Sequence, residues 1–520
     1  MVVGSGFGGG ITACRLAEQG WRVCVLERGR RFAPDDFIER PDQAAELFWH
    51  HSLNPSGIFE LRLMSDVAVL CAAGVGGGSL IYANVQLRAP EDVFDQGWPQ
   101  AITRAALDPY YERAESVLEA NLTPTEPHLP KVTSFAAAAP DGRTADRLPL
   151  AVHFGADRSN PFSGVPQEGC ANLGRCNIGC PRNAMNTVAL TYIARAEQRG
   201  AEVFPLHEVV RLEPPGEPDQ SWRIGFRELD GGQPGLVEAP VVILAAGCLG
   251  SSRILLKNRR RLSNLSPAMG TRFSGNGDAL GAAFDPKAPD VRGARSDFGP
   301  VMTSRLDYTR NQHFMLADGG LPDGFTGLLK VARGLSALTG WRRRLLQVKA
   351  LALRAGFTDQ AVAPRHIDLD LSWKRPGKPP ITDSLVFLMI GRDPAQGRMR
   401  LTRFLRRFDI QWSKEANREL FAGMRQATRD VAAAAQAEGW FAGDGGPLGK
   451  FMTVHPLGGA PMADDPGLGV VDANGKVHGY DGLYVSDGAI IPTALGVNPS
   501  KTIAALAERN VEELLRERSP

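Results

Sequence analysis

Met1-Val2-Val3-Gly4-Ser5-Gly6-Phe7-Gly8-Gly9 opens the chain. Three apolar residues read as a short strand, and a Gly-x-Gly-x-x-Gly turn follows at once, ahead of a helical pattern over 9–19. Each glycine of the turn has its own task. Gly4 permits the tight bend, Gly6 lets the backbone approach a pyrophosphate, and Gly9 lets helix pack on strand. The helix N-terminus then presents its partial positive charge to the phosphates. The next strand, over 21–27, ends on Glu27, whose carboxylate can accept hydrogen bonds from a ribose diol. An acid at that position disfavours a 2′-phosphate, so FAD or NAD is expected rather than NADP.

Farther along, Ala73-Gly74-Val75-Gly76-Gly77-Gly78-Ser79-Leu80-Ile81 is a second glycine-rich turn. Backbone without side chains can press against a large flat cofactor, which favours FAD over NAD. A helix is expected over 104–120 and a Pro-rich polar loop over 122–149. A helix over 186–200 and a strand over 201–205 follow. Alternating strands over 208–245 end on Val241-Val242-Ile243-Leu244-Ala245-Ala246-Gly247. The stretch 286–450 mixes strands with helices such as 413–438, and the tail returns to a strand (482–486) and a helix (501–515). Nucleotide motifs thus stand at the start, middle and end. The fold expected is α/β, with a discontinuous Rossmann-like FAD-binding domain over 1–285 and 451–520. Loop or cap insertions are expected around 30–60 and 100–185. An inserted α+β substrate-binding domain, built on an antiparallel sheet, takes 286–450.

The chain of 520 residues is too long for one simple core. Its formal net charge of +2 gives no reason to expect a nucleic-acid partner. No run of about 18 consecutive apolar residues appears, so no spanning helix is expected. Only three residues precede Gly4, where a strand usually has about five. The true start is therefore expected upstream, where a leader could also stand, and a cytoplasmic location is provisional. Seven cysteines, an odd number, fit a reducing compartment better than a disulfide framework.

The tail carries the chemistry. A lone histidine stands in Val454-His455-Pro456-Leu457-Gly458-Gly459, and Asn498-Pro499 opens the last helix. An alcohol carbon gives up hydride only as its hydroxyl proton is lost. A neutral imidazole can accept that proton, and an amide can hold the same oxygen and orient the C–H bond. Asn before Pro is also a common helix cap, so Asn498 has a structural reading beside the chemical one.

These motifs resemble the glucose–methanol–choline (GMC) family of flavin oxidoreductases, and within it the cholesterol-oxidase branch. Gly74–Leu80 is similar to the family's flavin-contacting segment. His455–Gly459, Gly482–Gly488 and Gly496-Val497-Asn498-Pro499 are similar to the sterol-oxidase branch, which pairs His with Asn rather than His with His. The resemblance implies non-covalently bound FAD, with its pyrophosphate at Gly4, Gly6 and Gly9 and a ribose at Glu27. Gly76, Gly78 and the Ala83 region would face the isoalloxazine, and Val209 would hold the adenine through its backbone. Asp487 would join the cofactor contacts, and Gly488, Asn498, Pro499 and Ser500 would line the pyrimidine side. The last helix would point its positive end at the reduced flavin. His455 would accept the proton, Asn498 would orient the substrate, and flavin N5 would take the hydride.

The resemblance therefore implies oxidation of a secondary hydroxyl on a sterol-like alcohol to a ketone, with oxygen as acceptor and hydrogen peroxide as product. Asp318, in Leu316-Ala317-Asp318-Gly319-Gly320, falls near the branch's isomerising glutamate after a one-residue gap. It is named here as a third catalytic candidate; a turn-forming Asp before Gly-Gly is its other reading. A dehydrogenase passing electrons to a carrier or quinone would satisfy the same motifs. An electron-transfer protein holding flavin or a cluster is the alternative from another class, but it would not need a proton acceptor.

Two features stand outside this scheme. Cys170-x5-Cys176-x3-Cys180-Pro181 matches an iron–sulfur run at three positions, with Leu173 in the remaining one. Packing thiols, a disulfide between two of them, or a metal or cluster all remain open; no fourth ligand is evident, so no metal site is assigned. The stretch 325–358 holds seven Lys and Arg residues among Leu and Val and no acid. It reads either as a solvated helix face or as a peripheral membrane contact.

Overall fold

The computed structural model describes residues 1–37, 46–217, 220–327, 377–443 and 450–518. Strand Val2–Val3 is the centre of a five-stranded sheet in the order Leu483–Val485, Val242–Leu244, Val2–Val3, Cys24–Leu26, Glu202–Phe204. Every neighbouring pair is parallel. A parallel sheet needs cover on both faces, and its strands are accordingly short and almost wholly apolar. The start, middle and end of the chain lie side by side in it, as the spacing of the nucleotide motifs predicts.

The first helix, Phe7–Glu18, begins two residues earlier than the pattern indicates, because the Gly10 N–H already bonds to the Gly6 carbonyl at 2.8 Å. It packs on the last helix, Ser500–Arg518. Glu508 is fully buried between them, and Arg15 reaches both of its oxygens at 2.8 Å. The Tyr192 hydroxyl donates to the same carboxylate at 2.9 Å. This pairing gives the buried Glu508 its counter-charge.

The stretch 122–149 is not all loop. Pro130 starts a helix, Pro130–Ala137, where a missing N–H costs nothing, and Ala145–Arg147 is a strand. The expected helix over 186–200 is a π-turn, Ala189–Ile193, running into Ala194–Gln198.

A second, six-stranded sheet is antiparallel throughout, in the order Glu438–Phe441, Ala279–Phe284, Leu385–Gly391, Phe314–Gly319, Ser304–Tyr308, Ala145–Arg147. It does not come from 286–450 alone: Ala279–Phe284 and Ala145–Arg147 are drawn in from before that segment. Helices Pro130–Ala137 and Arg418–Ala434 contact strands of this sheet. A smaller sheet sets Phe451–Thr453 parallel to Val67–Ala72, which pairs in turn with Phe59–Leu63. From residue 328 onward, the basic stretch 325–358 lies outside the described residues.

Where Gly8 meets the segment at 486, glycine packs directly on backbone. A Cβ on Gly8 would stand 1.5 Å from the Ser486 carbonyl oxygen. Gly8→Ala is therefore expected to lower the unfolding free energy by about 2 kcal/mol or more. Denaturant melting of the purified variant checks this, and an unchanged midpoint contradicts the packing described.

Candidate active site

His455 follows strand Phe451–Thr453, and its ring is anchored by a buried carboxylate. Its Nδ1 lies 2.8 Å from Asp278 Oδ1. The other oxygen of Asp278 accepts from the Thr453 hydroxyl at 2.9 Å, the Val454 N–H at 2.8 Å and the His455 N–H at 3.1 Å. A carboxylate can only accept, so in the neutral ring the proton sits on Nδ1 and Nε2 is left as an acceptor.

Asn498 precedes the last helix, but it does not cap it. The first helical residue is Ser500, and the Ile503 N–H bonds to the Pro499 carbonyl at 2.9 Å. Asn498 is 5% exposed, and its Oδ1 has no hydrogen-bond partner among the described residues. A buried unpaired amide oxygen is costly, so this atom is held ready for a bound group. The loop ahead of it is fixed by Asn276. The Asn276 amide donates to the Val497 carbonyl at 2.8 Å and accepts from Leu495 and Gly496 N–H at 2.9 and 3.0 Å.

Asn276 and Asp278 thus belong to one turn, Ser274-Gly275-Asn276-Gly277-Asp278, which holds both candidate residues. Neither was singled out from sequence. Alternating glycines and short polar side chains just before an apolar strand were the available signal. Below the turn, Asp393 accepts from the Ser274 hydroxyl at 2.6 Å and the Gly277 N–H at 3.0 Å. Burial pushes its carboxyl up to about 6 despite those bonds.

His455 and Asn498 line one cavity of about 1120 Å³ that runs to the nucleotide turn and includes Gly4, Gly6 and Glu27. Gly4 has φ +97°, and a Cβ there would meet the Ala245 carbonyl oxygen at 2.3 Å. A Cβ on Gly9 would meet the Gly4 carbonyl oxygen at 2.0 Å; this glycine serves helix packing rather than the cavity. Glu27 accepts from Ser5 N–H at 3.0 Å, Ser5 Oγ at 2.7 Å and Gly29 N–H at 2.9 Å. The Ser5 hydroxyl also receives the Gly76 N–H at 3.0 Å, which ties the two glycine turns together.

Gly76 needs its φ of +106°, whereas Gly78 has an ordinary φ and nothing within 4 Å of where a Cβ would stand. Protein sterics do not require glycine at 78, which lines the cavity. That is the fit expected of a flat cofactor against bare backbone.

Ala83, Val209, Asp487, Gly488, Pro499 and Ser500 line the same cavity. Strand pairing skips Val210, so the ladder is interrupted beside Val209, where backbone contacts were expected. Asp487 accepts from the Ser251 hydroxyl at 2.5 Å and the Ala489 N–H at 2.8 Å. Burial nevertheless pushes its carboxyl up to about 6.

Asp318 is the exception and corrects the sequence reading. Side chains alternate along Phe314–Gly319, and Asp318 pairs with Phe387, whose ring packs toward Phe135 of helix Pro130–Ala137. The Asp318 carboxylate accepts from Thr303 N–H, Thr303 Oγ1 and Ser304 N–H at 2.7, 2.5 and 2.7 Å. It also stands 3.6 Å from the buried ammonium of Lys131 on that helix. Burial pulls the Lys131 ammonium down, and Asp318 opposes that shift. Asp318 is a structural counter-charge and is not among the residues lining the cavity.

The seven cysteines are free thiols. Cys170 and Cys176 pack against an apolar cluster that includes Val85 and Met302, and burial pushes the Cys176 thiol up to about 12. Among the described residues no group of three His, Cys, Asp or Glu side chains stands together as a metal site.

Residues 7–259 match the N-terminal model of the GMC oxidoreductases, and residues 394–507 match the C-terminal one. The chain belongs to the GMC oxidoreductase family. A cholesterol oxidase of Mycobacterium tuberculosis (strain ATCC 25618 / H37Rv) is 33% identical over 98% of this chain and 89% of its own length. A cholesterol oxidase of Acinetobacter baumannii is 29% identical over 98% of this chain and 93% of its own. The crystal structure of pyridoxine 4-oxidase from Mesorbium loti shares the fold, with a TM-score of 0.60 at 15% identity over 99% of both chains. This protein is accordingly an FAD-dependent oxidoreductase of alcohols, as the sequence motifs imply.

Asp278→Asn tests the site. The three donors around Oδ2 would claim the amide oxygen and leave the amide nitrogen facing His455 Nδ1. The ring would then carry its proton on Nε2 and lose its acceptor. Anaerobic stopped-flow is expected to show reduction of bound FAD slowed by about 100-fold or more with FAD content unchanged. Normal reduction would contradict the assignment of Asp278.

Proposed function

We propose that this enzyme oxidises the secondary hydroxyl of a hydrophobic, sterol-like alcohol to a ketone, with dioxygen as final acceptor and hydrogen peroxide as product. One observation carries the reading: the cavity wall beside His455 is apolar. Strand alternation turns Leu61, Leu63, Ala68, Leu70 and Met452 to one face, and all five line the cavity; Glu60 and Arg62, which alternate with them, also line it but are ion-paired with each other, and Glu60 with Arg28 as well. Leu280, Val386 and Leu388 of the antiparallel sheet line it too, with Leu321 and Phe325. Each apolar side chain of such a wall rewards an apolar substrate and repels a sugar, whose hydroxyls would find no partners there.

In this reading residues 1–285 and 451–520 hold FAD, and the substrate pocket is shared between 286–450, through Leu321, Phe325, Val386 and Leu388, and the strands at 59–72, 279–284 and 451–453. FAD, when bound, supplies the acceptor for the hydrogen and electron pair that leave the carbinol carbon. His455 Nε2 accepts the hydroxyl proton, and Asp278 holds the imidazole in the tautomer that can do so. The Asn498 amide fixes the substrate oxygen, and Asn276 fixes the loop that presents that amide. The apolar wall excludes water from the forming ketone. Asp318 takes no part, so migration of a ring double bond is not included.

The test is anaerobic mixing of the FAD-loaded enzyme with sterols, long-chain primary alcohols and sugars, followed by admission of air. Bleaching of the flavin band by sterols and prompt recovery with peroxide release are expected. Bleaching only by primary alcohols or sugars overturns the substrate proposal, and flavin that stays reduced in air overturns the oxidase proposal.

A further inference from the structure

Strands Arg398–Leu401 and Phe408–Gln411 form an antiparallel hairpin whose purpose the active site does not explain. Its tip is Thr402-Arg403-Phe404-Leu405-Arg406-Arg407. Phe404, at 92%, is the most exposed large apolar side chain among the described residues, and Leu405 beside it is 66% exposed. At the root of the hairpin lies a second cavity, of about 480 Å³, which opens toward the end of helix Gly247–Asn258. Arg259, Arg260, Arg398, Arg400 and Arg406 line it, and no acid does.

None of these five guanidinium groups is paired with a described residue. The neighbouring Arg261 has Glu213 at 3.7 Å, and the one acid of the hairpin, Asp409, is buried and taken by Ser65 at 2.8 and 2.6 Å. With a net charge of only +2 over the whole chain, this concentration of cations is local.

We propose that the hairpin docks the enzyme on an anionic phospholipid bilayer. Phe404 and Leu405 enter the boundary between headgroups and acyl chains, and the arginines pair with lipid phosphates. Guanidinium matches phosphate by paired N–H donors, and its stem tolerates apolar surroundings. Leu405, beside Phe404, favours acyl chains over duplex DNA, whose phosphate backbone offers an aliphatic side chain nothing. No helix of the described residues is long and apolar enough to cross a membrane, so the contact is peripheral in kind.

The hairpin root packs close to the loop that follows His455. Met399 is buried, and a Cβ on Gly459, four residues after His455, would stand 2.6 Å from its sulfur. The docking surface is built from residues outside the basic stretch 325–358, and it does not rest on the identity of the substrate.

The test is co-sedimentation of the FAD-loaded enzyme with phosphatidylcholine vesicles, with and without phosphatidylglycerol, at low and high salt. Salt-sensitive binding to the phosphatidylglycerol vesicles alone is expected. The triple variant Arg398→Gln/Arg400→Gln/Arg406→Gln should bind roughly 100-fold more weakly, each charge near the surface contributing about fivefold. Phe404→Ser/Leu405→Ser should abolish the fraction that survives high salt. All five positions are exposed, so FAD content and oxidation of a water-soluble alcohol should not change. Vesicle binding by both variants equal to that of the unaltered enzyme overturns the proposal, as does preference for duplex DNA. Release by inorganic phosphate beyond that by chloride at matched ionic strength would assign the groove to a soluble anion and also overturn it.

Discussion

The buried carboxylate of Asp278 is the contact on which the catalytic end of this enzyme depends. It stands at the entry to a strand of the antiparallel sheet and accepts every hydrogen bond that the loop at 453–455 offers it. One group therefore does two things. It fixes the backbone of the loop against the sheet, and it decides which nitrogen of His455 is free. Asn276, two residues earlier, does the same for the loop before Asn498 through three bonds of its own. A single turn sets both halves of the proton-handling pair, so their separation is controlled by a rigid element rather than by two independent loops.

The other half of the site is controlled by close backbone approach. The parallel sheet brings Val2–Val3 beside Val242–Leu244, which pairs with Leu483–Val485. Glycines at 4, 8 and 9 let the helix and turns close on that seam. Ser5 bridges Glu27 and Gly76, so the two glycine-rich turns form one surface. Gly78, which no neighbour requires to be glycine, stands where that surface faces the cavity.

Much of this was legible in the chain because the signals are local. The opening strand, turn and helix, Glu27 at the end of the next strand, and the second glycine turn each follow from residues adjacent in sequence. Asn276 and Asp278 were not legible, since their partners lie 175 to 221 residues away and nothing local marks the pairing. Asp318 misled for the opposite reason. Its place in the sequence was close to that of a base, but one step along a strand turns a side chain to the other face of the sheet. There it meets Lys131, from a stretch whose prolines read as loop. The proline that begins helix Pro130–Ala137 is a start signal as much as a breaker.

The hydrogen-bonded state of His455 is where these relations converge. Nitrogen-15 NMR of the ring-labelled enzyme reports directly which ring nitrogen carries the proton in the neutral form. The Asp278 contact predicts a proton on Nδ1, shared with the carboxylate, and a bare Nε2 facing the cavity. A proton on Nε2, with Nδ1 unprotonated, would contradict His455 as the proton acceptor and Asp278 as the group that makes it one.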